Sequence, residues 1–216
     1  AYPAYTLGTA AHAPLAVARA YQTLAAEGFD TPLRAVRAVA GPDGERLQRY
    51  PLATQRVVDP APAYLLNHAL TRVMREGTGR GARERLPRSL DVAGKSGTTN
   101  EQRDSWFAGF SGDTVAVVWI GRDDNAPTGL TGSTGALPVW AEAMRRVAQR
   151  SFEPTVPDAV TRIWVDADSG ARSHRSCDNV RRVPYHRGDE PEEWTQCGER
   201  HRDRGDNDGL LEGWFQ

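Results

Sequence analysis

The sequence predicts an α+β domain, with an antiparallel sheet flanked by helices, followed by a small and mostly β or irregular extension. Apolar residues recur at helical spacing near both ends of the first 150 residues. Three short runs with strand character lie between these helical segments. After residue 150, prolines and then charged residues interrupt the pattern. Because a block of strands lies between helical segments, helices packed on an antiparallel sheet are the expected architecture.

Two helices precede the predicted strands. The first covers residues 14–27, begins with a proline in its first turn and is followed by a glycine. The second covers residues 60–76, with Asp59 as its cap and Gly77 as its stop. Between the helices, the turn-forming residues 41–44 separate two short runs and predict a small hairpin.

The predicted sheet consists of three consecutive runs. They cover residues 92–99, 105–110 and 114–120. A Ser-Gly-Asp turn separates the last two runs and has the length that an antiparallel hairpin needs. A closing helix over residues 138–149 is expected to pack Val139, Ala143 and Val147 against this sheet.

The change after residue 150 divides the chain into three parts. We assign residues 1–150 to the main domain, 151–198 to a small extension and 199–216 to a polar tail. Pro154 and Pro157 mark a linker, and a short strand is predicted over residues 163–165. Residues 199–208 are almost all charged, so we expect the tail to be loosely ordered.

The charge balance limits the possible functions. The chain carries 27 basic and 28 acidic residues, a net charge of -1 at pH 7, so no basic surface predicts a nucleic-acid partner. No run of apolar residues approaches the length of about 18 that is needed to cross a bilayer. Lys95 is the single lysine, and every other basic residue is arginine. Because a desolvated lysine can lose its proton, Lys95 is a candidate for acid–base chemistry.

Lys95 lies in the most informative segment, Gly-Lys-Ser-Gly-Thr-Thr at residues 94–99. A Walker phosphate loop needs a glycine five positions before Gly94, where this chain has Ser89. The spacing therefore excludes that loop. The segment instead matches the Lys-(Ser/Thr)-Gly triplet of serine acyl-transferases that act on D-alanyl peptides and β-lactams. The alternative is a lysine and two hydroxyls on an exposed strand with no catalytic role.

The residue types of this triplet suit an edge strand beside an acyl-enzyme site. Lys95 supplies positive charge and a route for protons, and Gly97 lets a substrate backbone approach and pair with the strand. The hydroxyls of Ser96 and Thr98 can hold a carboxylate, and the backbone N–H of Thr98 can face a developing oxyanion. Thr99 extends the strand as a neighbour of the site.

Five successive segments resemble the signatures of class A penicillin-binding proteins, and most of all those of the type 1B branch. The segments are residues 5–9, 76–80, 93–99, 104–109 and 119–124. They occur in the family's order and at its spacing, and the resemblance covers residues 3–150. Residues 158–198 resemble, more loosely, the small C-terminal extension of the same branch.

The resemblance implies a fold of the penicillin-binding transpeptidase and serine β-lactamase type, of which this chain is the C-terminal portion. It also implies that the module transfers the penultimate D-alanine of one peptidoglycan stem peptide, through an acyl-serine, to an amine of a neighbouring stem. Its ligands are then stem peptides ending in D-Ala-D-Ala, and β-lactams. The resemblance implies no cofactor.

The same resemblance extends to the protein that would contain this chain. It implies a glycosyltransferase domain and one membrane helix upstream, with the module on the periplasmic side of the bacterial inner membrane. The expected protein partners are the remaining N-terminal half of the same protein, a second copy of it in a homodimer, and other proteins of cell-wall synthesis.

Two motifs of the family are missing from this chain. The single lysine rules out Ser-x-x-Lys, which supplies the nucleophile and its base. None of the five asparagines stands two residues after a serine, as the Ser-x-Asn motif requires. We therefore predict that the polypeptide alone is not acylated by penicillin.

Two other functions remain open. A D,D-carboxypeptidase or β-lactamase would keep the fold and use water as acceptor, whereas a peptidoglycan-binding domain would need no serine at all. Trp106 and the Arg-Asp-Asp sequence at residues 122–124 favour the cell-wall transpeptidase over these two alternatives. Trp106 is also a candidate for substrate contact, and its alternative role is that of a core or cleft-lining aromatic.

Two cysteines lie in the predicted extension. The spacings of His174 and Cys177, and of Cys197 and His201, superficially suit a four-ligand zinc site. By the resemblance, the chain belongs in an oxidising periplasm, where a small extension benefits from a disulfide. We therefore predict a disulfide between Cys177 and Cys197 and no metal, with zinc as the alternative.

Overall fold

The computed structural model describes residues 11–203, which form two compact units that divide between Thr155 and Val156. The division lies shortly after the domain boundary predicted at residue 150. None of the helices within the described residues combines the length and the apolar character that a membrane span requires.

Over residues 11–155, the first unit contains three α-helices and seven strands. The helices are α1 (Pro14–Ala25), α2 (Pro60–Arg75) and α3 (Leu137–Val147). The strands are β1 (Phe29–Asp30), β2 (Ala38–Ala40), β3 (Arg46–Arg49), β4 (Gln55–Arg56), β5 (Ala93–Thr98), β6 (Ser105–Phe110) and β7 (Val115–Ile120). Short 3-10 helices cover Arg80–Glu84 and Asn100–Gln102, and a π-turn covers Gly132–Ala136.

Strands β5, β6 and β7 form the predicted antiparallel sheet in that order. Ala93 pairs with Phe110, and Thr98 with Ser105, so β5 and β6 are in register over the full length of β5. The predicted hairpin around residues 41–44 is also present, with β2 antiparallel to β3. Because β5 pairs with β6 alone among the described strands, its other edge is open.

Aromatic side chains pack on both faces of the sheet. Phe107 and Phe110 are three residues apart on β6, so their side chains project from opposite faces. On one face, the ring of Phe107 lies 4.8 Å from that of the fully buried Trp140 of α3. On the other face, Phe110 contacts Phe152 edge to face at a centroid distance of 4.8 Å. These aromatic pairs hold helices and chain segments against the two faces.

The buried face of α3 differs from the prediction. Val139 and Val147 are 52% and 54% exposed, and Ala143 is exposed too, so the predicted contact face is wrong. The residues that are buried are Leu137, Trp140, Ala141 and Met144. Two apolar stripes compete on this helix, and the stripe that contains the large indole buries more apolar surface and therefore faces the core.

Both ends of α2 also differ in detail. Asp59 occupies the N-cap position, but its side chain makes no capping hydrogen bond. At the other end, the helix stops at Arg75, and the backbone N–H groups of Gly77 and Gly79 both donate to the carbonyl of Val73. The glycines after the helix thus satisfy an end carbonyl, as the predicted stop at Gly77 requires.

In the described part of the second unit, residues 156–203, there are a two-stranded antiparallel ribbon and one helix. Strand β8 (Val160–Asp166) includes the predicted residues 163–165 and pairs with β9 (Val180–His186). Helix α4 covers Gln196–Asp203.

The prediction of a loosely ordered tail from residue 199 is wrong for residues 199–203, which are helical. The reason is local packing, because a Cβ on Gly198 would lie 2.9 Å from both Ser173 and Trp194. The rest of the predicted tail, residues 204–216, lies outside the described residues.

A disulfide joins Cys177, in the loop before β9, to Cys197 in α4. The two cysteines are 20 positions apart in the sequence, and the bond links α4 to the ribbon. Closing a loop of this size restricts the unfolded chain and contributes about 3 kcal/mol in the chain-entropy account.

We expect the Trp140→Ala substitution to lower the free energy of unfolding of the first unit by about 3–5 kcal/mol, because a fully buried indole leaves a cavity between α3 and the sheet. Urea unfolding followed by circular dichroism measures the change. Val139→Ala on the exposed side of the same helix is the matched control, with an expected change below about 0.5 kcal/mol. Equal effects of the two substitutions would contradict the packing described here.

We expect reduction of the Cys177–Cys197 bond to lower the melting temperature of the second unit, since the unfolded chain gains about 3 kcal/mol of conformational freedom. Calorimetry with and without a phosphine reductant measures the shift. A Cys177→Ser/Cys197→Ser variant should melt at the lower temperature in both conditions. A wild type that melts at the same temperature with and without the reductant would show that the bond adds nothing.

Candidate functional site

The open edge of β5 carries the Lys-Ser-Gly-Thr sequence predicted to do chemistry. Side chains alternate along a strand, so Lys95 and Gly97 face one side of the sheet while Ser96 and Thr98 face the other. Lys95 and Thr98 are exposed, and Ser96 and Gly97 are half-buried. The strand thus presents an amine on one side and two hydroxyls on the other, next to an unpaired backbone edge.

The backbone N–H of Thr98 points toward that open edge. The N–H of the following residue, Thr99, donates to the carbonyl of Asp104 at 3.2 Å, on the side of β6. Backbone groups of successive residues in an antiparallel strand point in opposite directions, so the N–H of Thr98 faces away from β6. It is therefore available to a group that approaches the edge of β5.

Lys95 makes only a local contact. Its Nζ donates to the carbonyl of its neighbour Ser96 at 2.8 Å. Within residues 11–203, none of the ion pairs includes this amine. An exposed ammonium with one short-range acceptor has two protons free to bind a further partner.

The hydroxyl of Ser96 lies 2.8 Å from the hydroxyl of Thr78. Thr78 stands in the loop between α2 and the 3-10 helix, 18 residues before Ser96 in the chain. Thr78 belongs to the family-like segment at residues 76–80, but the sequence predicted no role for it. Its side chain stands on the same side of the sheet as the serine.

The hydroxyl of Thr98 accepts a hydrogen bond of 2.9 Å from the backbone N–H of Gly132, the first residue of the π-turn before α3. Gly132 lies so close to the sheet that a Cβ would be 2.6 Å from the carbonyl of Trp106 and 2.7 Å from that of Gly97. Only glycine fits at this position. The start of α3 is therefore held directly against β5 and β6.

The turn after β5 is closed by Asp104. Its carboxylate accepts from Thr99 Oγ1 at 3.1 Å and from Trp119 Nε1 at 2.8 Å, while its N–H donates to Thr99 Oγ1 at 2.8 Å. Trp119 in turn lies 6.2 Å from Trp106, ring centre to ring centre. Trp106 is opposite Gly97 in the register, and it is half-buried. Thr99 thus belongs to the support of the strand, and Trp106 borders the site.

The Arg-Asp-Asp sequence after β7 contains an ion pair. Arg122 donates to both carboxylate oxygens of Asp124, at 3.0 and 2.9 Å. This guanidinium, together with the N–H of Ala126, lowers the pKa of the Asp124 carboxyl, and the carboxylate raises the pKa of Arg122. Both side chains are exposed, so the pair shapes the turn and adds little stability.

Lys95, Ser96, Gly97 and Thr98 are thus adjacent on one strand, with Thr99 and Trp106 beside it. The sequence reasoning missed the roles of Thr78, Gly132 and Asp104 in this arrangement. Thr78 and Asp104 each belong to a family-like segment, but the resemblance does not say which residues they contact. Gly132 lies outside these segments, and no local pattern connects it to β5.

The second unit holds a group of ligand-type side chains. One ligand atom from each of Cys177, Cys197 and His201 lies within 4.8 Å of the others. The ring of His174 stacks on that of His201 at 4.3 Å. Because the two sulfurs are bonded to each other, neither is a thiolate, and a thiolate is the form of cysteine that binds zinc. The disulfide is the arrangement predicted from the sequence.

Comparison with known proteins extends this description. The family model for the penicillin-binding protein transpeptidase domain matches residues 2–145. Penicillin-binding protein 1B of Vibrio cholerae is 36% identical over 182 residues, which is 84% of this chain and 23% of that protein. Penicillin-binding protein 1B of Escherichia coli is 39% identical over 167 residues, 77% of this chain and 20% of that protein. This chain therefore spans less than a quarter of either relative.

Solved structures share the fold. Penicillin-binding protein 1A from Haemophilus influenzae superposes with a TM-score of 0.80 at 23% identity, covering 90% of this chain and 35% of that one. PonA1 from Mycobacterium tuberculosis, solved in complex with penicillin V, has a TM-score of 0.61 at 25% identity, covering 71% of this chain and 43% of that one. With the family model matching well over half of its length, this chain belongs to the penicillin-binding protein transpeptidase domain family.

Proposed function

We propose that this chain supplies the strand-edge half of a peptidoglycan D,D-transpeptidase, which is inhibited by β-lactams. The observation that carries the proposal is the open edge of β5, where the exposed Lys95 amine, the Ser96 and Thr98 hydroxyls and the outward N–H of Thr98 lie together. Membership of the transpeptidase family gives this arrangement its chemistry.

In the proposed reaction, a serine from the remaining N-terminal part of the module attacks the carbonyl of the penultimate D-alanine. The peptide bond to the terminal D-alanine breaks, and that residue leaves with the proton from the serine. The amine of a second stem peptide then attacks the acyl-serine, which forms the cross-link and restores the serine hydroxyl. A β-lactam acylates the serine as in the first step and then remains attached to it.

Each group on β5 has a task in this scheme. The donor peptide pairs with the open strand edge, where Gly97 leaves room for its backbone. The N–H of Thr98 donates to the oxyanion, a type of contact worth about 3 kcal/mol of transition-state stabilisation. The ammonium of Lys95 stabilises negative charge and passes protons between the nucleophile and the leaving group.

The whole protein is proposed to be larger than this chain, because its relatives are more than four times as long as the matched part. By its class A resemblance it carries a glycosyltransferase domain and a membrane helix upstream, and the transpeptidase module lies on the periplasmic side of the inner membrane. Its protein partners are its own N-terminal half, a second copy and other cell-wall synthesis proteins.

We expect the isolated 216-residue chain to form no covalent adduct with a fluorescent penicillin, because it contains no Ser-x-x-Lys motif. The full-length protein should gain the mass of one penicillin. Intact-mass spectrometry of both polypeptides measures the difference. An adduct on the isolated chain would overturn the assignment of the nucleophile to the missing part, and release of D-alanine without cross-links would identify a carboxypeptidase.

In the full-length protein, we expect Lys95→Gln to slow acylation by penicillin by roughly 100-fold or more, because it removes both the positive charge and the proton route. Stopped-flow measurement of the acylation rate gives the result. Arg88→Gln, at an exposed position seven residues earlier in the chain, removes the same charge and should leave the rate unchanged. Equal rates in the two variants would exclude Lys95 from the chemistry.

A further inference from the structure

We propose that the second unit binds one Zn²⁺ ion through Cys177, Cys197 and His201 when the disulfide between the two cysteines is reduced. Two thiolate sulfurs and one imidazole nitrogen would hold the ion, a ligand set that zinc prefers in proteins. The site lies entirely in the second unit, so it is independent of the proposed transpeptidase function.

The three ligand atoms already lie together. The two sulfurs and one ring nitrogen of His201 are all within 4.8 Å of one another. In a tetrahedral zinc site, bonds of about 2.0–2.3 Å place neighbouring ligand atoms roughly 3.5–4 Å apart. Once the disulfide is broken, small side-chain rotations are therefore enough to arrange the three ligands around one ion.

Two short segments of the chain supply all three ligands. Cys197 and His201 are four residues apart in α4, so their side chains are neighbours on one face of the helix. Both are half-buried. Cys177 approaches them from the loop before β9, where its N–H donates to the carbonyl of His174 at 2.9 Å. The helix and this turn thus fix the directions from which the ligands reach the ion.

Contacts other than the disulfide hold α4 beside this loop. The N–H of Thr195, just before the helix, donates to the carbonyl of Arg172 at 2.8 Å, and the N–H of Arg172 donates to the carbonyl of Glu193 at 2.7 Å. The hydroxyl of Thr195 lies 3.1 Å from that of Ser173. None of these hydrogen bonds includes a sulfur, so reduction leaves them in place and the two cysteines stay close enough to share an ion.

The ring of His174 supports His201 and is not itself a ligand. The two rings stack at a centroid distance of 4.3 Å. Nδ1 of His174 accepts the N–H of Ser176 at 3.2 Å, so the neutral ring carries its proton on Nε2 and keeps no lone pair for a metal. A water molecule is then the fourth ligand, as in other zinc sites with three protein ligands.

Reduction and metal binding are separate steps. A dithiol reductant gives two electrons and two protons to the bond between Cys177 and Cys197, and is itself oxidised to a disulfide. Zn²⁺ then binds both thiolates, and the two thiol protons pass to water. A disulfide-bearing oxidant rebuilds the bond and releases the ion, because bonded sulfurs are no longer thiolates. The two cysteines therefore hold either each other or a zinc ion.

The test uses the untagged 216-residue chain, in which Cys177 and Cys197 are the only cysteines. We expect the chain reduced with a phosphine to retain about one equivalent of Zn²⁺ after gel filtration, and the oxidised chain less than about a tenth of that. Plasma mass spectrometry measures the metal. The Cys177→Ser/Cys197→Ser variant should retain no zinc under either condition, since it has no thiolate.

A second measurement tests the histidine ligand. We expect His201→Phe, which keeps an aromatic ring and removes the nitrogens, to weaken the zinc affinity of the reduced chain at least about 100-fold in competition with a chromophoric chelator. His186→Phe changes an exposed histidine of the same unit and should stay within about twofold of the wild type. Circular dichroism of both variants shows whether the fold is preserved.

Cobalt replaces zinc in a third measurement, which needs no substitution. Reduced wild type with Co²⁺ should show the visible absorption of a tetrahedral ion together with a thiolate charge-transfer band. This spectrum decides the question if His201→Phe alters the fold. An octahedral spectrum without the thiolate band would overturn the site.

The other outcomes are equally distinct. Zinc on the reduced wild type alone, with weakened binding in His201→Phe, would support the site. No zinc on the reduced wild type would overturn it. Equal affinities of His201→Phe and the wild type would also overturn it, because the two thiols would then bind the ion without the histidine. Equal amounts of zinc on the oxidised and reduced chains would place the ion elsewhere on the surface.

Discussion

The burial of Trp140 against Phe107 is the interaction on which the site depends. The indole is fully buried, its Nε1 donates to the carbonyl of Ala116 at 3.0 Å, and its ring lies against the aromatic side chain of β6. One residue of α3 thus contacts two of the three strands. Because the polar N–H is satisfied inside the core, the large apolar surface is buried without an unpaired donor.

Contacts that begin at this core also fix the position of the open edge of β5. The strand is in register with β6 along its whole length, and the turn at its end is closed by Asp104. Thr98 is held from the side by Gly132. An oxyanion donor must be in position before the reaction begins, since reorganisation during the reaction would cost part of the stabilisation. The described contacts fix the position of Thr98, as its proposed role as an oxyanion donor requires.

Much of the fold was predictable because it follows from local rules. The helical spacing in α1 and α2 and the tight turn between β6 and β7 each depend on neighbouring residues. The order of the three strands follows from short connections. The buried side of α3 was not predictable, because two apolar stripes satisfy the same period and only the space beneath Trp140 decides between them. The helical structure of residues 199–203 was not predictable for a similar reason. Their high charge indicates disorder, and the packing around Gly198 that orders them depends on the tertiary fold.

Some residues of the candidate site were likewise predictable from the sequence, and others were not. The Lys-Ser-Gly-Thr strand could be identified from the sequence because its four residues are consecutive. Thr78 and Gly132 could not be identified in this way, since they contact the strand only through the tertiary fold.

The contact between Gly132 and β5 also links α3 to the candidate site. The π-turn that begins at Gly132, next to the hydroxyl of Thr98, continues directly into the helix that carries Trp140. A change in the core beneath α3 would then be transmitted to Thr98 through the backbone. On the proposed function, substitutions in the core beneath α3 would change the rate at which β-lactams acylate the protein, without contacting the β-lactam themselves.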